Sequence, residues 1–280
     1  MGAAARLFAV LCVVPLALGA MGCSLTRSAQ KNPQRPAAER AAADEEELRR
    51  FFNPPFQLAV PEDAIVRIVT PETSCTGTIL DDDLVLTANH CIARRSSAKE
   101  GYQQMRPEDV RIELGGDYLA WGEVRTKAIV APPCGFQGGG GDIALLVLSR
   151  KVVGLSSMTV RLDTAPKMGE FVDPIGFGRC ATNGNGIHRS RREGGHIRAM
   201  TSETMVLDAS VCPGDSGGPV VVRGTHEVVG VVSLSAMDGD DRTRAPSIMA
   251  RVDTFRRVFA QGRLIADGMS PAELPPLDCQ

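Results

Sequence analysis

Aromatic side chains are scarce in this 280-residue chain, with one Trp, two Tyr and nine Phe making up 4%. Glycine, at 29 residues, is plentiful. A chain poor in large rings and rich in glycine suits short strands joined by tight turns better than a helical bundle. An excess of either charge is also missing. The formal net charge is −2 with both signs interspersed, which argues against a nucleic-acid footprint. No cysteines stand at C-x-x-C spacing and none has a His pair nearby, so no structural zinc is expected, nor any other metal or cofactor. Beyond the first 22 residues no apolar run is long enough to span a bilayer. What is present is an ordinary hydrophobic fraction of 43%, enough for a sizeable core in one large domain or two small ones.

The N-terminus reads as a targeting segment. Arg6 supplies a positive start, residues 7–18 are apolar but short for a span, and small residues follow at Gly19 and Ala20. Residues 1–22 are therefore assigned as a signal peptide. Its end, Ala20-Met21-Gly22-Cys23, resembles the lipobox of bacterial lipoproteins, with Ala20 where Leu is usual. That resemblance implies lipidation of Cys23 and membrane attachment in the bacterial cell envelope. Ordinary cleavage and secretion is the alternative. Residues 23–54, rich in Ala, Arg, Glu, Gln and Pro, read as a flexible tether with a short helix over 37–52. Export makes disulfides permissible. Of eight cysteines, Cys12 and Cys23 belong to the targeting segment, and the remaining six allow 15 pairings.

From residue 55 to 280 the texture is that of an all-β domain. Apolar runs recur at 64–69, 76–80, 84–88, 110–114, 123–130, 143–148, 171–175, 205–209, 219–222 and 228–234, with Gly, Pro and Asp clusters between them. This pattern predicts an antiparallel sandwich or barrel. Asp81-Asp82-Asp83 reads as a hairpin turn. One helix is expected near the C-terminus, with Asp253 as N-cap and Phe255, Val258, Phe259 and Leu264 on its apolar face. Gly262 weakens that helix, and Gly268 with Pro271 ends it. The tail to Gln280 is expected to be irregular but anchored.

Three segments carry chemistry: Thr87-Ala88-Asn89-His90-Cys91, Gly141-Asp142-Ile143-Ala144-Leu145-Leu146, and Cys212-Pro213-Gly214-Asp215-Ser216-Gly217-Gly218-Pro219. A serine hydroxyl is a poor nucleophile until an adjacent base takes its proton. Imidazole is suited to that task near neutral pH, and a buried carboxylate can fix its tautomer. Glycines at 214, 217 and 218 permit a strained turn that aims the N–H groups of Gly214 and Ser216 at a developing oxyanion. His188, His196 and His226 read as polar surface. Glu113, Asp117 and Asp163 are the competing carboxylates, and none sits in a matching segment.

In the order His90, Asp142, Ser216 the three segments resemble the chymotrypsin/trypsin family of serine proteases, from about Val66 to Val258. The resemblance implies two packed six-stranded antiparallel β-barrels with a C-terminal helix. It implies a serine endopeptidase acting on protein or peptide substrates, with His90, Asp142 and Ser216 catalytic and Gly214 and Ser216 forming the oxyanion hole. The alternative is a tethered binding module that has the fold without the activity. The family's most widespread disulfide implies Cys75–Cys91. The usual family partner of Cys212 is missing, and the segments that approach each other in the family fold imply Cys180–Cys212 and Cys134–Cys279 instead. Its specificity pocket maps to Ser210 at the floor and Ser235 and Ser247 on the walls, with Ser233 in the substrate-aligning strand. Such a pocket favours small residues before the cut, with Phe, Tyr or Leu, which Ser210 alone would permit, as the alternative. Three departures stand out. Asn89 replaces a small Ala, Phe177 replaces a Trp, and no Ile-Val-Gly-Gly type start follows a basic residue. Without such a start, Asp215 is expected to find an internal partner, an Arg, as in some bacterial relatives.

Overall fold

A computed structural model describes residues 60–95, 102–115, 120–133, 135–180, 187–236 and 243–278. The signal peptide, Cys23, the tether with its expected helix, and the Cys134–Cys279 pair lie outside the described residues.

The first half builds β1 (Ile65–Val69), β2 (Ser74–Asp81), β3 (Leu84–Thr87), β4 (Ala93–Arg95), β5 (Tyr102–Gln104), β6 (Arg111–Leu114), β7 (Gly122–Val130) and β8 (Ala144–Leu148). Six of these close into a barrel in the order β1-β2-β3-β8-β7-β6, and β4 and β5 form a separate two-stranded ribbon. Alternation explains β7: Val124, Thr126, Ala128 and Val130 are buried, while Glu123, Arg125 and Lys127 face water. In β8 every residue is buried, because one face fills the barrel and the other lies beneath the C-terminal helix.

The second half supplies β9 (Thr159–Val160), β10 (Phe171–Gly176), β11 (Ser190–Arg191), β12 (Gly195–His196), β13 (Ala199–Met200), β14 (Thr204–Ala209), β15 (Pro219–Val222), β16 (Glu227–Ser235) and β17 (Ala245–Arg251). The sheet runs β11-β10-β15-β16-β17-β14-β13, and β12 also pairs with β10. One stretch of chain, Ser190 to Met200, thus borders β10 on one edge of the sheet and β14 on the other, closing the second barrel. Its interior is filled by residues such as Val172, Met205, Leu207, Val229 and Met249. The larger core fills the first barrel and continues through Ile175, Val231 and Val252 of the second half into the helix.

Asp81 to Asp83 form the expected turn between β2 and β3. Their carboxylates receive Arg263 of the helix, with Arg263 Nη2 donating to Asp83 Oδ1 at 2.8 Å. The helix itself, α1 (Arg256–Ala266), starts later than expected, with Phe255 as N-cap. Asp253 does not cap it. Its two oxygens accept from Arg251 Nε and Nη2 at 3.1 and 2.7 Å, a two-bonded charge-assisted fork. The buried stripe is Val258, Gly262 and Ile265, and Leu264 is 39% exposed, because it points about 100° away from that stripe. Gly262, which weakens the helix locally, is what lets it dock: a Cβ there would lie 2.7 Å from Leu145 Cδ1. The tail is held by Gln261 Nε2 to Pro275 O at 2.6 Å and Arg257 Nη2 to Pro276 O at 3.0 Å.

Replacing Gly262 by Val should lower stability by about 1–3 kcal/mol despite the gain in helix propensity, since the branched side chain must displace Leu145. Urea unfolding measures this. An unchanged or higher midpoint would show that the helix can move away at no cost.

Candidate active site

The antiparallel pairing of β3 with β8 sets Thr87 opposite Ala144, so the chain leaving β3 and the chain entering β8 lie side by side. His90 sits in the short turn Asn89–Cys91 after β3, and Asp142 just before β8. Residues 52 positions apart therefore meet. Asp142 is fully buried and accepts from the His90 backbone N–H at 2.9 Å and from His90 Nδ1 at 2.8 Å. A carboxylate can only accept, so Nδ1 carries the ring proton and Nε2 is left as the basic nitrogen. Ser233 Oγ also donates to Asp142 Oδ2. The turn is tied down by the expected Cys75–Cys91 disulfide, with Cα atoms 6.2 Å apart. Asn89 is accommodated by burial, its Nδ2 donating to Pro132 O at 3.5 Å.

Ser216 is half-exposed in the loop that enters β15. Gly214 (φ +106°) and Gly217 (φ +81°) adopt the left-handed conformation that side chains resist. A Cβ on Gly217 would fall 2.3 Å from Thr76 O and Thr87 Oγ1 and 3.0 Å from Ala88 N, so only hydrogen fits where this loop meets the chain leading to His90. The loop spends its N–H groups unevenly. Cys212 donates to Asp215 Oδ2, Asp215 to Cys212 O, Gly217 to Val232 O and Gly218 to Asp215 O. Among the described residues, the N–H groups of Gly214 and Ser216 have no acceptor. No hydrogen bond joins Ser216 Oγ to His90 Nε2 in this structure, a bond that often closes only when substrate binds.

The internal partner of Asp215 is Arg192. Arg192 Nε donates to Oδ2 at 2.8 Å and Nη2 to Oδ1 at 3.1 Å, with both side chains buried. Gly178 N adds a bond to Oδ1 at 2.7 Å. Burial pushes the Asp215 carboxyl up from its ordinary value, while Arg192 and the two backbone donors pull it back. Arg192 escaped the sequence reading by number because it stands in a cationic run. Its neighbours Arg189 and Arg191 turn outward to Asp63 and Glu62, which would suit a solvated face. Thr76 escaped too. Its N–H donates to Ser216 O at 2.8 Å, its hydroxyl donates to Gly214 O at 2.7 Å, and Phe177 N donates to that hydroxyl at 3.0 Å. The Cys180–Cys212 disulfide closes the far side of the loop.

The remaining predicted residues gather along β14, β17 and β16. Ser235 and Ser247 are paired across β16 and β17, with hydroxyls 2.7 Å apart, and Ser247 Oγ donates onward to Ala245 O at 2.9 Å. Ser210 is buried just beyond β14, its hydroxyl accepting from Glu193 N at 3.0 Å. Ser233 lies in the register shift of β16, and its hydroxyl is turned to Asp142.

This geometry agrees with a family model described as Trypsin, which matches residues 58–259. The chain belongs to the trypsin family. A chymotrypsin-like elastase family member 1 from Macaca fascicularis is 27% identical over 215 residues, covering 65% of this chain and 76% of that protein. An uncharacterized peptidase of Corynebacterium glutamicum strain R is 28% identical over 196 residues, covering 63% of this chain and 61% of that one. A solved structure of a Glu endopeptidase superposes with a TM-score of 0.58 at 16% identity, covering 75% of this chain and 94% of that one, and shows the shared fold. This trypsin-family chain is a serine endopeptidase.

Within the trypsin-family frame, Arg192→Met should be strongly destabilising, because it strands the Asp215 charge in the interior. A loss of about 3–5 kcal/mol is expected from urea unfolding. A change below about 1 kcal/mol would mean that the loop does not depend on this pair.

Proposed function

We propose that Ser216, His90 and Asp142 act as nucleophile, general base and orienting carboxylate in peptide-bond hydrolysis through an acyl-enzyme. The observation that carries this reading is the buried Asp142 carboxylate, which accepts a hydrogen bond from His90 Nδ1–H and so leaves Nε2 basic. Ser216 Oγ attacks the scissile carbonyl as Nε2 accepts its proton, and Asp142 stabilises the imidazolium. Negative charge growing on the carbonyl oxygen is met by the N–H groups of Gly214 and Ser216, each donor contributing about 3–4 kcal/mol in comparable enzymes. Collapse breaks the C–N bond, the amine leaves with the proton from His90, and water then releases the acyl group by the same steps in reverse.

Arg192 supplies from inside the chain the cation that Asp215 needs. The loop can therefore form without a newly cut N-terminus, and the uncleaved chain should be active. Ser210, Ser235 and Ser247 form the pocket for the side chain before the cut, and the Ser233 backbone aligns the substrate. A Lys or Arg there would bury its charge with no carboxylate to meet it. The hydroxyls of Ser235 and Ser247 narrow the slot, so Ala, Val, Thr or Ser should be preferred, in keeping with the elastase name of the macaque relative. The disulfides suit an extracytoplasmic setting, reached through the signal peptide at 1–22 with a lipid anchor at Cys23.

A fluorophosphonate probe should label the uncleaved chain at Ser216. Ser216→Ala should lower kcat by about 10⁶, with His90→Ala similar and the double variant little worse. Hydrolysis that survives Ser216→Ala would end this reading in favour of a binding module or another site. Peptide-library profiling should show small residues before the cut. The pair Ser235→Gly with Ser247→Gly should shift relative kcat/KM toward Phe and Leu by about tenfold. A profile dominated by Arg, Lys or large aromatic residues in the unaltered chain would overturn the pocket assignment.

A further inference from the structure

We infer that Arg179 is a specificity residue for the leaving-group side of the cut, favouring substrates with Asp or Glu among the first residues after the scissile bond. The inference rests on Ser216 as nucleophile. Sheet order is β10-β15-β16, and Ser216 lies in the loop that enters β15 at Pro219. The chain leaving β10, residues 177–180, therefore flanks the nucleophile on one side, and the end of β16 with Ser233 and Ser235 on the other. A peptide crossing Ser216 with its acyl half along β16 and the serine pocket must lay its leaving half over residues 177–180.

Arg179 stands there on a fixed base. Gly178 N donates to Asp215 Oδ1 at 2.7 Å, Arg192 Nη2 to Gly178 O at 2.7 Å, and Arg179 N to Pro213 O at 2.8 Å. The next residue, Cys180, is joined to Cys212. A Cβ on Gly214 would lie 3.3 Å from Gly178 Cα, which sets Arg179 one residue from a group in contact with the oxyanion loop. The backbone is immobilised and the side chain is exposed. Little ordering remains to be done when a ligand engages it.

Charge distribution points the same way. The neighbouring surface arginines have carboxylates at hand, as in Arg189–Asp63, Arg191–Glu62 and Arg198–Asp208. Among the described residues no carboxylate lies within ion-pair distance of Arg179. An arginine with no acid beside it, at the edge of the cleft, presents a positive potential to an incoming anion. Because it is exposed, its effect should be modest and weakened by salt.

Internally quenched peptides test this, with the acyl half taken from the sequence best cut in the library and Asp, Ala or Lys placed in turn at the first three positions after the cut. Fluorophosphonate titration counts the competent enzyme in each preparation. At one of these positions the unaltered chain should prefer Asp over Lys by about fivefold in kcat/KM at low salt, shrinking in 0.5 M salt as expected at about a 4 Å screening length. Arg179→Lys should keep the order, Arg179→Ala should flatten it, and Arg179→Glu should invert it. A ratio near one at all three positions, or a preference for Asp that survives Arg179→Glu, overturns the inference. Failure of the unaltered chain to label at Ser216 overturns the mechanism beneath it instead.

Discussion

A carboxylate with no exposure to water persists only if neighbouring groups neutralise and satisfy it, and around Asp215 that requirement organises the second barrel. Arg192 forks onto both oxygens, and the N–H groups of Gly178 and Cys212 complete the shell. Every one of these partners lies in a segment next to Ser216. Cys212 begins the loop, Gly178 covers it, and Arg192 belongs to the stretch that closes the barrel. Removing the carboxylate would leave a buried cation, and removing the cation would leave a buried anion. Either change frees Gly214 and Ser216 from the geometry that keeps their N–H groups unspent.

The second constraint is that the site straddles two cores. His90 and Asp142 come from adjacent strands of the first barrel, and Ser216 and Ser233 from the second. Thr76 crosses the seam to hold the Ser216 loop, and Ser233 crosses it in the other direction to hold Asp142. Gly139 (φ +85°) lets the loop before Asp142 press against the second barrel, where a Cβ would lie 2.8 Å from Ile248 Cγ2. Because residues of both barrels share the larger core, their mutual position is set by packing that resists small displacements. That is the kind of support the proposed triad would need, since a displacement near 1 Å can cost orders of magnitude in rate.

The cleft is asymmetric in a way that follows from the same frame. On the β16 side the groups are neutral hydroxyls that satisfy one another, Ser235 to Ser247 and Ser247 to Ala245 O. On the β10 side the exposed group is a full charge, Arg179, held by a backbone pinned at Gly178 N, Gly178 O and Arg179 N. Under the proposed function, a neutral, self-satisfied pocket would select by size and a charged rim by field, so the two halves of a substrate would be read by different physics.

Local chemistry was legible in the sequence wherever a residue's neighbours along the chain determine its environment. The glycines around Ser216 announce a strained turn, alternation announces strands such as β7, and three Asp residues between apolar runs announce a hairpin. Side-chain partners were legible only in part. Asp253 has the right identity for a cap, yet Arg251 two residues back competes for it and wins with two charge-assisted bonds. Leu264 and Ile265 are both apolar, and only the docking of Gly262 on Leu145 decides which of them is buried. Arg192 differs from Arg189 and Arg191 in no local property. It becomes the partner of Asp215, 23 residues away, because closure of the second barrel turns that one side chain inward. The link from Ser233 to Asp142 spans 91 residues and two barrels. A period of two tells which face a side chain takes, but what lies across from that face is decided by strand order and barrel packing. Sequence therefore determined the chemistry of each group, and the tertiary structure alone decided which groups stand within 3 Å of one another.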